Sequence, residues 1–258
     1  ALAFGVLIGV CLLLPVPARQ AVTPEALPGG MALVTAIVMA LQAVKDEIAA
    51  VNPQYAENIE NIWRYARAND LRAAEVITDA KGDRSRKANQ QDDPDLYLRI
   101  VDKSSKGITV RGAKLHISGA SYAHDLMTIP TKAMKAGEEA YAIAAMVPVS
   151  SPGVRIVNTT YAPRHGDPRS FPISSQHHMP EGFVIFDDVF VPDERVFLDG
   201  ETAFAAVFAH SLGLWERLGG LSAFAEEADV LVGLAELVAE ANGTAGISHV
   251  KEKIAEMI

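Results

Sequence analysis

Three closely spaced stretches carry the deciding pattern: Asp-Ala-Lys-Gly-Asp-Arg-Ser-Arg (79–86), Asp-Pro-Asp-Leu-Tyr-Leu-Arg-Ile-Val (93–101) and Val-Arg-Gly-Ala-Lys-Leu-His-Ile-Ser-Gly-Ala (110–120). The first is polar and bears a glycine. Together with the proline at 94 it predicts a loop over 81–95. From Leu96 onward the hydrophobic period shortens from helical to alternating. Residues 97–101 and 108–115 therefore read as strands, with a turn over 103–107.

Downstream, residues 141–148, 154–159 and 182–186 read as further strands, separated by Pro, Gly and polar loops. These define a predicted β domain over 92–200. Upstream, Thr23-Pro-Glu opens a helix, because Thr caps and Pro suits the first turn, and Gly29-Gly30 interrupts it. Residues 31–51 carry Leu33, Ile37, Leu41 and Val44 at helical spacing, and Asn52-Pro53 closes that helix. A further helix over 55–68 gathers Ile59, Ile62, Trp63 and Ala66 on one face, and Asn69-Asp70 breaks it before 71–76. After residue 200 the helical period returns over 203–215 and 223–241, with Gly219-Gly220 between the two. Asn242-Gly243 ends the second, and Ser248 caps a third. The order is helices, strands, helices: an α+β chain. Its expected division is an apolar head over 1–20, an N-terminal helical domain over 21–91, the β domain over 92–200 and the start of a C-terminal helical bundle over 201–258.

The chain has 258 residues and a net charge of -9. An acidic surface argues against nucleic acid as a partner, because phosphate-backbone binding needs clustered Lys and Arg. The basic cluster present is Lys81, Arg84, Arg86 and Lys87, which reads either as a solvated loop or as a phosphate contact. Cys11 is the only cysteine. It excludes an internal disulfide and a Cys-ligated cluster held within the chain, and it fits a reducing compartment, hence a cytoplasmic expectation. Residues 1–14 form an uncharged apolar run, short of the roughly 20 residues a membrane span needs and without the basic region of a signal peptide. A buried helix, a signal-like segment and an artefact of truncation or reading frame all remain open for it. The first residue is Ala and the last residues read as mid-helix, so a fragment of a longer protein is expected.

The motifs resemble one flavoprotein family, which joins the 4-hydroxyphenylacetate 3-hydroxylase large components to the 4-hydroxybutyryl-CoA dehydratases. The resemblance runs from about residue 29 to the end, and 181–197 (Glu-Gly-Phe-Val-Ile-Phe-Asp-Asp-Val-Phe-Val-Pro-Asp-Glu-Arg-Val-Phe) is a strong part of it. It implies an acyl-CoA dehydrogenase-like architecture, in which an antiparallel β-barrel-like domain lies between helical domains and FAD lies between barrel and bundle. By the same resemblance, Asp83, Arg84 and Ser85 correspond to a flavin-contacting loop. Ser118, with Gly119 beside it, corresponds to a hydroxyl contact at the flavin ring edge. An Arg beside a diphosphate gives bidentate charge-assisted hydrogen bonds, and a glycine lets backbone approach closely. Glu181 matches an active-site Glu of the dehydratase branch and could act as general acid or base. His116 and His124 flank Ser118, and His116 is assigned with Glu181 to the substrate side. His177-His178 make a poor metal pair, since neighbours on a strand point to opposite faces.

The chain departs from the dehydratase branch at the [4Fe-4S] ligands, three Cys and one His. Those positions fall on Glu216, Ala223, Pro28 and near Pro24. The branch's catalytic Lys and Tyr fall on Phe224 and Gly220. No iron–sulfur cluster and no metal are expected. The hydroxylases' substrate-binding Arg and Tyr have no counterpart, and a substrate-binding His falls near Glu75 or Val76. The resemblance implies an FAD-dependent monooxygenase acting on a phenol, with reduced FAD supplied by a separate flavin reductase and a homotetramer, hence a homo-oligomer, when full length. A cluster-free acyl-CoA dehydratase or isomerase and an inactive truncated fragment are the alternatives.

Overall fold

The computed structural model describes residues 31–159, 167–171 and 180–258. The side chains of 31–39, 215, 216, 218–220, 222, 223, 225 and 226 are outside that description. The apolar head with Cys11, the helix start at Thr23, the Gly29-Gly30 break, Pro24, Pro28 and His177-His178 therefore lie outside the described residues, as do the side chains at Glu216, Gly220 and Ala223. The chain divides into two compact units, one over Pro15–Gly213 and one that includes Leu214–Ile258.

Helix α1 spans Met31–Ala49 and α2 spans Pro53–Ala68. Pro53 opens α2 as well as following α1. The Asn52 side chain accepts from Gln54 N at 3.1 Å and caps the first turn, where proline's missing N–H costs nothing. Ile59, Ile62 and Ala66 form its buried face, as their spacing requires. Each fully buried Ile contributes about 1.5–3 kcal/mol. Asn58 shares that face. Its Nδ2 donates to Asp193 O at 2.6 Å and Val196 O at 2.9 Å, docking α2 on the sheet region.

The strands form two four-stranded sheets instead of one closed barrel. The first has the order β1 (Ala73–Val76), β4 (Asp125–Thr128), β5 (Ile143–Pro148), β8 (Val196–Asp199). The second has the order β2 (Arg99–Ser104), β3 (Gly107–Ser118), β7 (Glu181–Pro192), β6 (Val154–Thr159). The expectation of antiparallel pairing holds except for β1 against β4, which is parallel from Ala73↔Asp125 to Val76↔Thr128. β1, β4 and β8 are four residues each. Strands that short show too few alternations to declare themselves, and β1 carries Ala-Ala-Glu-Val, a weak β sequence held by its long-range partner.

On β3 the inward positions Ile108, Val110, Gly112 and Lys114 alternate as a half-buried strand should. A register shift between Lys114 and Ile117, with His116 at φ 57°, then moves the phase by one residue. Ile117 turns inward, while His116 and Ser118 are exposed.

One helix, α3, runs over Thr202–Ala241 without a break at Gly219-Gly220. A helical glycine costs about 1 kcal/mol relative to Ala, and the surrounding Ala, Leu and Glu residues carry the helix through. It ends as expected. Gly243 is left-handed at φ 69°, and the N–H groups of Gly243 and Thr244 return to Glu240 O and Ala239 O. Helix α4 spans Ser248–Ala255, with Ile247, not Ser248, at the capping position. Among the described residues, no helix is long and apolar enough to cross a membrane.

Candidate functional site

The loop between β1 and β2 is anchored before it is exposed. Asp79 is buried and bridges to Lys114 of β3. Ala80 N then donates to Leu96 O. Lys81 and Gly82 follow in left-handed conformation, at φ 70° and 53°. A Cβ on Gly82 would lie 2.5 Å from Gln91 Oε1 and 2.6 Å from Leu96 Cδ1, so any side chain here would displace those two side-chain ends, and the left-handed φ favours glycine.

Past that turn, Asp83 Oδ1 accepts from Ser85 N at 2.9 Å and from Ser85 Oγ at 2.7 Å. These bonds from Ser85, side chain first, and the nearby Arg86 cation hold the Asp83 carboxyl below its ordinary range. Gln91 is the hub that shapes the loop. Its Oε1 accepts from Asp83 N at 2.9 Å, and its Nε2 donates to Asp83 O at 2.8 Å, Lys87 O at 3.3 Å and Arg86 O at 3.4 Å. Arg86 is spent within the loop, on Asp92 at 2.6 Å and Asp83 at 3.4 Å. Arg84 is exposed and has neither an ion-pair nor a hydrogen-bond partner among the described residues. Of the basic cluster, Arg84 is thus the guanidinium free to meet an anion.

The second group sits at the facing ends of β3 and β7. Ser118 and Glu181 are register partners, and Ser118 Oγ donates to Glu181 Oε1 at 2.5 Å. The other carboxylate oxygen, Glu181 Oε2, is shielded and has no hydrogen-bond partner among the described residues. A shielded carboxylate oxygen without a donor is costly, which singles this atom out among the described residues. Gly119 is left-handed at φ 70°, and its N–H donates to Pro180 O at 2.8 Å. Gly182 lies under this corner, where a Cβ would come within 2.9 Å of Ala120 Cβ.

His116 stands exposed two residues before Ser118. Its left-handed backbone is uncommon for a residue other than glycine, although histidine, like Asn and Asp, is among the side chains that tolerate it. His124 has a different job: its Nδ1 accepts from Arg72 N at 3.0 Å, which ties the starts of β1 and β4 together.

The structure thus gathers Asp83, Arg84 and Ser85 on one loop and Ser118, Gly119 and Glu181 at one sheet corner, with His116 beside the second group. Several residues that shape these groups went unread in the sequence. Lys114 is 2 % exposed; its Nζ lies 2.9 Å from Asp79 Oδ1 and donates to Ile77 O at 2.8 Å and Ile129 O at 3.2 Å. Burial lowers its pKa from the ordinary value, and the Asp79 charge opposes that shift. Glu138, fully buried, accepts from Ala88 N, Lys135 N and Lys132 Nζ, each at 2.9 Å, and so pins the far side of the loop. A signal for Lys114 was present: a lysine at an inward position of an alternating strand needs a buried partner.

The profile of the 4-hydroxyphenylacetate 3-hydroxylase N-terminal family matches residues 27–198, and that of the C-terminal family matches residues 205–258. The chain is 35% identical over 210 residues to the 4-hydroxybutyryl-CoA dehydratase/vinylacetyl-CoA-Δ-isomerase of Clostridium aminobutyricum, covering 79% of this chain and 42% of that protein. It is also 35% identical over 228 residues to the 4-hydroxyphenylacetate 3-monooxygenase oxygenase component of Thermus thermophilus, covering 86% and 46%. Among solved structures, an oxygen-tolerant archaeal 4-hydroxybutyryl-CoA dehydratase from N. maritimus superposes with a TM-score of 0.79 at 27% identity, over 98% of this chain and 50% of that one. The oxygenase component of 4-hydroxyphenylacetate 3-monooxygenase complexed with FAD superposes with a TM-score of 0.75 at 32% identity, over 88% and 47%. The chain spans about half the length of the curated relatives it matches.

Proposed function

The chain belongs to the 4-hydroxyphenylacetate 3-hydroxylase family, and from that premise we propose that it is the flavin-binding part of an FAD-dependent monooxygenase that hydroxylates a phenol. The observation that carries the reading is the corner at Ser118 and Glu181: a hydroxyl and a shielded carboxylate oxygen, without a hydrogen-bond partner among the described residues, beside a left-handed glycine. Names among the relatives point the same way, including oxygenase components and an FADH(2)-dependent monooxygenase of Burkholderia cepacia. The residues present suit FAD. Arg84, without an ion-pair or hydrogen-bond partner among the described residues, would take the diphosphate by bidentate hydrogen bonds, with Asp83 and Ser85 shaping the loop around it. Ser118 Oγ, which donates to Glu181, keeps its lone pairs for a donor on the ring edge, and Gly119 leaves room for that approach.

Bound and reduced, FAD would supply the two electrons with which one atom of dioxygen enters the phenol ring and the other leaves as water. The protein's share is positioning, protection from water and proton handling. Glu181 would hold or take a proton at Oε2, since Oε1 already accepts from Ser118. His116, exposed on its bulge, would meet the substrate hydroxyl. The reduced cofactor would come from a separate flavin reductase, in a cytoplasmic homotetramer built on the C-terminal helices and serving aromatic catabolism. With Cys11 the single cysteine of the chain, no iron–sulfur cluster is part of this proposal. Residues 21–91, 92–200 and 201–258 would act as helical, flavin-binding and bundle-forming domains.

The relationship to the Clostridium aminobutyricum enzyme favours a second reading, in which Glu181 shuttles a proton along an acyl-CoA substrate in a cluster-free isomerase. Titration of the 258-residue chain with oxidised and with reduced FAD separates the readings. Tighter binding of reduced FAD is the expected result. Equal and tight binding of oxidised FAD would favour the acyl-CoA reading. Binding of neither form would overturn the flavin assignment for this chain and leave an inactive remnant.

A further inference from the structure

Lys114 is placed where no strand would choose a lysine, and all three of its ammonium protons have an acceptor: Asp79 Oδ1, Ile77 O and Ile129 O. These acceptors lie on different pieces of the fold. Ile77 follows β1 and Ile129 follows β4, both strands of the first sheet, whereas Lys114 is on β3 of the second. Asp79 in turn accepts from Leu98 N at 3.0 Å, just before β2 of the second sheet. Leu115 N adds a backbone bond to Thr78 O at 2.7 Å. A single buried ammonium therefore fastens one sheet to the other at the end where the candidate site lies.

Both halves of that site hang from this point. Four residues after Asp79 comes Asp83, reached through the left-handed turn at Lys81 and Gly82. Four residues after Lys114 comes Ser118, reached through the bulge at His116. Both connections are short and conformationally set, so a displacement of the pair would reach both ligand-facing groups. An apolar pair could hold two sheets together as well or better, but it would not fix the rotation and distance of two strands with three directed bonds.

We propose that Lys114 and Asp79 are positioning residues that hold the 83–85 loop and the Ser118–Glu181 corner in mutual register; its consequence for flavin rests on the reading above. Neither is offered as a catalytic residue, since neither reaches the surface.

The test compares the wild-type chain with the double variant Lys114→Met/Asp79→Asn, which removes both charges and keeps an acceptor for Leu98 N. Amide hydrogen exchange is followed by residue. Under the proposal, amides over 82–86 and 115–119 exchange at least tenfold faster in the double variant, while those of β5 and β8 keep their wild-type rates. A pair with a merely structural role would shift all of these together or none, and either pattern would overturn the proposal. Should the double variant fail to fold, native-state exchange of the wild-type chain in low denaturant decides instead. The amides of Asp83, Ser85, Leu98, Leu115 and Gly119 should then open as one cooperative unit, and independent opening of the two groups would overturn the proposal. FAD titration of the same two proteins reads the consequence separately. A tenfold or greater loss of affinity is expected, and failure of the wild type itself to bind would count against the flavin reading while leaving the exchange result to judge the pair.

Discussion

The segment from Asp79 to Glu138 and the helix beyond Leu214 treat their side chains in opposite ways. In the first, even charged groups are buried and matched: Asp79 with Lys114, and Glu138 with Lys132 and two backbone N–H groups. In the second, large apolar groups stand in solvent, among them Leu221, Phe224, Val230, Leu231, Leu234, Leu237 and Val238. A region that satisfies costly polar groups internally has its geometry determined by its own chain. A region that exposes an apolar stripe is built to be covered. The two regions should therefore respond differently to mutation, the first in stability and ligand affinity, the second in association.

The largest effect expected on the first region is that of Lys114→Met alone. It leaves Asp79 buried without its counter-charge and should cost about 3–5 kcal/mol of stability in urea unfolding. A loss under 1 kcal/mol would mean that water reaches Asp79 in solution, and the contrast between the regions would weaken. Next comes Arg84→Ala. Because this guanidinium has no partner among the described residues, its removal should leave the unfolding midpoint where it is. A charge-assisted hydrogen bond is worth about 1.5–3 kcal/mol, so FAD affinity should fall roughly ten- to hundredfold, read by titration. A destabilised but normally binding variant would return Arg84 to the class of structural loop residues.

The third effect concerns acid. Burial raises the Glu138 pKa, but the hydrogen bonds from Lys132, Ala88 N and Lys135 N outweigh it and leave the carboxyl below its ordinary value. A depressed carboxyl binds fewer protons folded than unfolded, so its contribution is present above the unfolded carboxylate range, near about pH 4.3, and is lost as pH falls through the folded value. Glu138→Gln should flatten the stability-versus-pH curve below about pH 4.3. An unchanged slope would show that other carboxyls dominate acid unfolding.

How far these regions could be read in advance follows from the range of the interactions. Residues 154–159 alternate locally and read correctly as a strand, and Gly243 closes α3 by a local rule. Strands β1, β4 and β8 owe their existence to partners 50 or so residues away, as with Ala73 and Asp125, and their own four residues say little. Gly219-Gly220 misleads because a local cost of about 1 kcal/mol per glycine is small against the propensity of the flanking residues. At the site, Asp83, Arg84, Ser85, Ser118 and Glu181 could be named from motifs. That Ser118 and Glu181 touch is a matter of register between β3 and β7, set along the whole strand pair from Gly107↔Pro192 onward. Lys114 sits at an inward position of an alternating strand, which marks it as needing a buried partner, yet that partner could not be chosen among the nearby acids without the fold.

The smallest stability effect is expected in the second region and serves as the control on the others. Leu231, Leu234 and Val238 lie three and four residues apart, on one face of α3, and each is more than half exposed. Their side chains are in water before and after unfolding, so Leu231→Lys/Leu234→Lys should change the unfolding free energy by no more than about 0.5 kcal/mol. The consequence should appear in light scattering. The wild-type chain, with this stripe uncovered, should associate as its concentration rises, and the double lysine variant should remain monomeric because two added charges per chain oppose face-to-face burial. If instead the variant lost more than 1 kcal/mol and still associated, the stripe would be packed against its own chain in solution, and the distinction drawn between the two regions would fail at its simpler half.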